Sequence, residues 1–152
     1  MTRRRLLVAA GIVVAAVALW FAVLRGRGPS DDLGRLQGDW AITAEGRGEV
    51  GRVRIDGDRW TYVSGGQERS AHRVTLDPTA TPKEIDLTAL EPDGTPRRFT
   101  SGPGKGNEVK QLGVYALDRD TIAVALAPVQ EGRRPKSLDA DLPLLTMTRL
   151  TK

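Results

Sequence analysis

Two hydrophobic patterns divide the chain near residue 30. Residues 6–24 are apolar at every position except Gly11. Beyond residue 37 apolar side chains recur at every second position instead. Gly38, Trp40, Ile42 and Ala44 alternate with Asp39 and Thr43, which sets Trp40 and Ile42 on one face of a strand. Val53 and Ile55 alternate with Arg52 and Arg54, and Trp60 and Tyr62 follow the turn Asp56-Gly57-Asp58, the composition of a tight hairpin. In 67–76, Ser70, His72, Val74 and Leu76 share one face while Arg69, Arg73 and Thr75 take the other.

The same period continues to the C-terminus. A proline-bearing corner at 77–82 precedes a strand at 84–88, and the turn Glu91-Pro92-Asp93-Gly94 leads to a short strand at 97–100; proline keeps both turns out of a central strand. Residues 110–117 and 121–127 read as a hairpin around Asp118-Arg119-Asp120, and a polar crossover at 128–142 precedes a last strand at 144–150. Ser30 or Asp31 can cap a short helical turn running to Gln37. Eight or nine short strands with no long amphipathic helix among them predict an all-β antiparallel sandwich or barrel. Closure into a barrel removes the exposed edges that a small open sheet must protect.

The apolar run at 6–24 is long enough to cross a bilayer as a helix, at about 1.5 Å rise per residue against a hydrocarbon core of about 30 Å. In water such a helix exposes apolar surface all round. The division expected is therefore a basic cytoplasmic flank (1–5), a transmembrane signal anchor (6–24), a linker of Gly, Pro and Arg (25–32) and a β domain (33–152). Three arginines and the amino terminus precede the helix and two arginines follow it, which points the N-terminus to the cytoplasm and the β domain outside it. A cleaved signal peptide is the alternative, with Ala16-Val17-Ala18 as its small-x-small site. Thr2-Arg3-Arg4-Arg5-Leu6-Leu7 also resembles a twin-arginine export signal, against the plainer reading as a basic flank.

Charge changes meaning once this division is made. The chain carries +4, but the first 27 residues hold five arginines and no acid, leaving 18 of the 23 Lys+Arg against all 19 Asp+Glu, a formal charge of −1. The case for nucleic acid, which needs basic side chains gathered on one face, goes with the tether. Five aromatic residues remain beyond residue 27, so the core must rest on Val, Ile, Leu and Ala. The absence of cysteine excludes disulfides, thiolate metal sites and cysteine nucleophiles.

Leu36-Gln37-Gly38-Asp39-Trp40, Leu76-Asp77-Pro78 with 82–87, and Gly113-Val114-Tyr115-Ala116-Leu117 with Asp120-Thr121, Ala127-Pro128 and Arg134-Pro135 occur in an order that resembles a small lipocalin-like domain of unknown function. This domain recurs in exported or anchored proteins of planctomycete-type bacteria, and the resemblance covers residues 33–152. It implies an antiparallel lipocalin-like barrel and supplies no activity, cofactor or ligand. Arg119 departs from it, since glycine is usual in that turn. In lipocalins generally a Gly-x-Trp on the first strand packs at the closed barrel end beneath an arginine of the last strand. Gly38, Trp40 and Arg149 are the matching positions, with a structural role in barrel closure.

The remaining chemistry is sparse. His72 is the only histidine, and no carboxylates are spaced to complete a metal site around it. Residues 101–107 suggest a phosphate-cradling loop but lack its spacing and its following helix, and the Asp56/Asp58 and Asp118/Asp120 pairs sit where turns need aspartate. No nucleophile, base and orienting group can be named together, so no enzyme is expected. Alternation turns Tyr62, His72 and Tyr115 inward, where their polar groups need partners. An eight-stranded barrel is just wide enough to be filled by side chains or to hold one small ligand. The expectation is an anchored binding module with a small or apolar ligand near these three residues; the alternative is a filled barrel acting as a structural or protein-interaction domain at the cell envelope.

Overall fold

A computed structural model describes residues 31–44, 48–129, 132–138, 142 and 144–151. The expected spanning helix at 6–24 lies outside the described residues, and among those described no helix is long and apolar enough to cross a membrane. A compact unit runs from Asp32 to Lys152, so Asp32, counted with the linker in the sequence, belongs to the β domain.

The unit opens with a short helix, α1 (Asp32–Leu36), followed by eight strands: β1 (Gly38–Ala44), β2 (Gly48–Asp56), β3 (Arg59–Ser64), β4 (Gln67–Asp77), β5 (Lys83–Ala89), β6 (Lys110–Leu117), β7 (Thr121–Leu126) and β8 (Leu144–Arg149). Each strand pairs antiparallel with the next and β8 returns to β1, closing the barrel. Closure satisfies the edge hydrogen-bonding groups that either strand would otherwise expose. In this up-and-down order the start of β1 and the end of β8 share one end with α1 and the β2–β3, β4–β5 and β6–β7 turns.

Period-two alternation builds the core as expected. Trp40, Ile42, Val53, Ile55, Trp60, Val74, Tyr115 and Val124 are buried together, while Arg52, Arg54 and Arg73 between them are exposed. Ile85, Leu87, Ile122 and Met147 complete the cluster with Leu36 of α1. Ser70 keeps the face expected of it, opposite Tyr62 and two residues from His72. The β3–β4 register shifts between Tyr62 and Val63, with Tyr62 opposite Ser70 and Val63 opposite Glu68. The extra residue on β4, Arg69, makes a bulge that interrupts the alternation before Ser70 is reached, and Ser70, next to it, is exposed.

The strand expected at 97–100 is replaced by isolated bridges, Leu90 to Pro96 and Arg98 to Glu108. Pro96 has no N–H to extend a ladder, and the glycine-rich 101–106 segment turns the chain back at once, so the segment caps the β5–β6 connection and the strand count stays at eight. At Asp118-Arg119-Asp120 the chain turns without positive φ at any non-glycine residue. Asp118 accepts the Arg119 N–H at 2.8 Å and donates its own N–H to the Thr121 carbonyl at 2.9 Å, so this turn accommodates arginine without needing a glycine.

Candidate functional site

The barrel is sealed at the α1 end by two clusters. Trp40 is fully buried, and its indole N–H donates to the Leu36 carbonyl at 2.8 Å. The Arg149 guanidinium lies 4.3 Å from the Trp40 ring centroid and donates to the carbonyls of Gln37 at 2.6 Å and of Arg35. Those are carbonyls that the end of a helix leaves without partners, so one arginine caps the helix and stacks on the indole. Gly38 permits this approach: its φ is +118°, and a Cβ there would stand 3.3 Å from Arg149 Nη1. The three residues assigned to barrel closure are thus brought together. Gln37 adds a latch, donating to the Gly57 carbonyl and accepting the Gly57 N–H at 2.7 Å in the β2–β3 turn.

The second cluster centres on Asp32, whose carboxylate is buried. Its Oδ2 accepts from Lys83 Nζ at 2.7 Å and from the Tyr115 hydroxyl at 2.8 Å, while Arg35 lies 3.4 Å from Oδ1. Burial alone would raise the Asp32 pKa, but the hydrogen bonds from Lys83 and Tyr115 and the charges of Lys83 and Arg35 outweigh it and hold the carboxyl below its usual value. The Tyr115 phenol is pushed far up by burial and by Asp32 beside it. Tyr115 therefore takes a structural hydrogen bond at the sealed end, away from the other two candidate ligand residues. Asp32 and Lys83 were not singled out by sequence reasoning, because their partners lie up to 83 positions away along the chain.

Tyr62 and His72 do meet. Their rings contact edge to face with centroids 5.7 Å apart, and Trp60 lies 6.0 Å from Tyr62. Trp60 and His72 are directly opposed across β3 and β4. Burial raises the Tyr62 pKa, and burial followed by the Arg97 charge lowers that of His72, which favours the neutral imidazole. Trp60 Nε1 and His72 Nδ1 are both buried without a hydrogen-bond partner. Such atoms call for water or a polar ligand group.

Among the described residues, hollows lie elsewhere. One of about 300 Å³ is bounded by β3, β4 and the 90–97 loop, one of about 320 Å³ by β2, β3 and Leu150, and one of about 480 Å³ by the 78–82 corner with Tyr115 and Leu138. Trp60, Tyr62 and His72 line none of them.

The remaining sequence candidates have local partners. In the 101–107 loop the N–H groups of Lys105, Gly106 and Asn107 are already donated to Gly102, Phe99 and Gly104 carbonyls, so they are not aimed at a phosphate. Asp58 pairs with Arg73 at 3.7 Å and Asp120 with Arg149 at 3.3 Å. Among the described residues no group of three or more His, Asp or Glu side chains is placed to hold a metal ion. Arg134, from the polar crossover, clasps the β5–β6 seam: it donates to the Gly113 carbonyl at 2.7 Å and pairs with Asp86 at 2.7 Å and Glu84 at 3.0 Å.

The chain matches no protein-family model, no curated protein and no solved structure.

Proposed function

We propose that this chain is a membrane-anchored, outward-facing lipocalin-like module whose barrel is filled by its own side chains and which serves as a structural or protein-interaction domain at the cell envelope. One observation carries the reading. Trp40, Trp60 and Tyr115 are each no more than 2% exposed, packed with Ile55, Ile85, Leu87, Ile122 and Met147 across the barrel interior. An eight-stranded barrel has room for side chains or for one small ligand, and three large aromatic groups take up much of that room. No reaction, cofactor or nucleic-acid partner is assigned. Residues 6–24 supply the anchor, with the N-terminus cytoplasmic, and the residues shared with the planctomycete-type domains support kinship with them.

Native mass spectrometry of the full chain extracted from its host membranes in mild detergent tests the interior. The expected result is the mass of the bare protein and no displacement of a lipophilic fluorophore, with chemical crosslinks leading to an envelope protein. N-terminal sequencing of the mature protein tests the anchor: a start within the first few residues supports it, and a start after Ala18 replaces it with export.

A second reading has its own support. The unpartnered Trp60 Nε1 and His72 Nδ1 suit a small hydroxyl-bearing ligand, which can accept from the indole and donate to the neutral imidazole. A stoichiometric small-molecule adduct that disappears in Trp60→Phe would establish this reading in place of the first.

A further inference from the structure

An interaction module needs a surface, and the arginines of the β2–β4 wall single one out. Arg52, Arg54 and Arg73 each have a carboxylate within ion-pair distance, from Glu49, Asp39 and Asp58. On the 90–109 excursion Arg97 is held by Glu91 at 3.2 Å and Arg98 by Glu108 at 3.8 Å. Arg59 and Arg69 form no ion pair among the described residues, and both line the hollow of about 300 Å³. Their placement has a backbone cause. Arg69 is the extra residue of the β4 bulge, a device that re-aims a side chain. Arg59 stands opposite Arg73, a like-charge pairing in which the nearby carboxylate, Asp58, is on Arg73.

Leu90, Ala71 and Pro92 give the hollow an apolar part of its lining, and backbone hydrogen bonds fix it. Leu90 is buried, and its N–H donates to the Ala71 carbonyl at 2.9 Å, while Glu91 N–H donates to the Thr95 carbonyl at 2.8 Å. Two glutamates, Glu68 and Glu91, also line it, and Glu91 is already engaged by Arg97, a third arginine of the lining. Their charge limits the hollow to a small positive excess, which suits a single carboxylate held by arginine forks and works against a doubly charged phosphate or a polyanion.

We propose that this hollow docks an acidic segment of a partner protein, one carboxylate seated on Arg59 and Arg69 with a neighbouring apolar side chain on Leu90, Ala71 and Pro92. The proposal rests on the interaction-domain reading and gives it a surface and a partner chemistry.

The test uses the full chain in nanodiscs of zwitterionic lipid, with the arginine side-chain N–H and tryptophan indole signals followed by NMR. The probes are a capped peptide alternating glutamate and leucine, the same peptide with lysine for glutamate, and inorganic phosphate. Expected are saturable shifts at Arg59 and Arg69 with the glutamate peptide alone, unchanged by Arg119→Gln; in Arg59→Gln with Arg69→Gln the shift of Arg97, which also lines the hollow, should need about tenfold more peptide or above. Unshifted indole signals of Trp40 and Trp60 in the variants verify that the barrel is intact. No saturable shift at millimolar glutamate peptide overturns the proposal. So do equal binding of the lysine peptide, tighter binding of phosphate, or shifts that follow protein concentration and so report self-association. Failure of the filled-barrel reading would look different: a bound small molecule would move the Trp60 indole and His72 signals and leave those of Arg59 and Arg69 in place.

Discussion

Replacing Asp32 by alanine removes the single carboxylate to which Lys83 and Tyr115 both donate. The two donors are left in different positions. Tyr115 is 2% exposed, so its hydroxyl loses its acceptor in a dry site, a cost of roughly 1–3 kcal/mol. The Lys83 side chain is 38% exposed and can turn to water, so its pairing adds no more than about 1 kcal/mol. The expected loss is about 1–4 kcal/mol, read from urea or thermal unfolding followed by the fluorescence of the buried indoles. For a domain of this size that corresponds to roughly 3–5 °C in Tm for each kcal/mol. Tyr115→Phe removes the hydroxyl together with its need for a partner, so the double variant should recover part of the loss, with a coupling of about 1–2 kcal/mol.

Acid provides an independent check on the same cluster. The Asp32 pKa is lowered in the fold from 3.8, so the unfolded chain binds the proton more readily than the folded one. The stability from this group is therefore complete above pH 3.8 and is lost as pH falls through the lower folded value. The difference between wild type and Asp32→Ala should shrink below about pH 4. A loss under about 0.5 kcal/mol at neutral pH, or strict additivity with Tyr115→Phe, would refute the assignment of Asp32 as the centre of the sealed end.

Further predictions concern the rest of the barrel. Arg149→Lys keeps a charge but loses the planar stacking on Trp40 and the fork to the Gln37 and Arg35 carbonyls; it should cost about 2 kcal/mol and red-shift the tryptophan emission. Gly113→Ala should cost roughly 1–3 kcal/mol in urea unfolding, since a Cβ there would stand 2.7 Å from the Ala125 carbonyl and 2.6 Å from Leu126 Cδ2, and the carbonyl belongs to a paired strand that cannot move aside. Burial raises the pKa of both Tyr62 and Tyr115 from 10.0. Above pH 10 the unfolded chain loses phenol protons that the folded one keeps, so stability should fall as pH rises past that value. Tyr115→Phe should blunt the fall, and an unchanged alkaline unfolding profile in that variant would count against the buried phenol.

Much of the architecture was legible in the chain because a strand's side chains alternate with a fixed period of two. That local rule gave the inward faces of β1, β2 and β3, and turn composition gave the hairpin at Gly57; the pairing of Gly38-x-Trp40 with Arg149 was what the resemblance to lipocalins implied. It does not carry through Arg69, whose bulge is a property of the β3–β4 register and leaves no mark in either strand alone. It failed also at 97–100, whose pattern is strand-like but whose neighbours offer only single bridges.

Tyr115 draws the boundary between the two kinds of information. Alternation turned it inward beside Tyr62 and His72. Strand order and register instead set it opposite Lys83 and beneath α1, at the sealed end, where Asp32 satisfies its hydroxyl. The sequence by itself determined which faces are apolar, where the turns fall, and the long apolar run of the expected anchor, because each depends on residues a few positions apart. Only the tertiary structure decided which polar groups found partners and which arginines did not, because those pairings join residues brought together solely by closing the barrel.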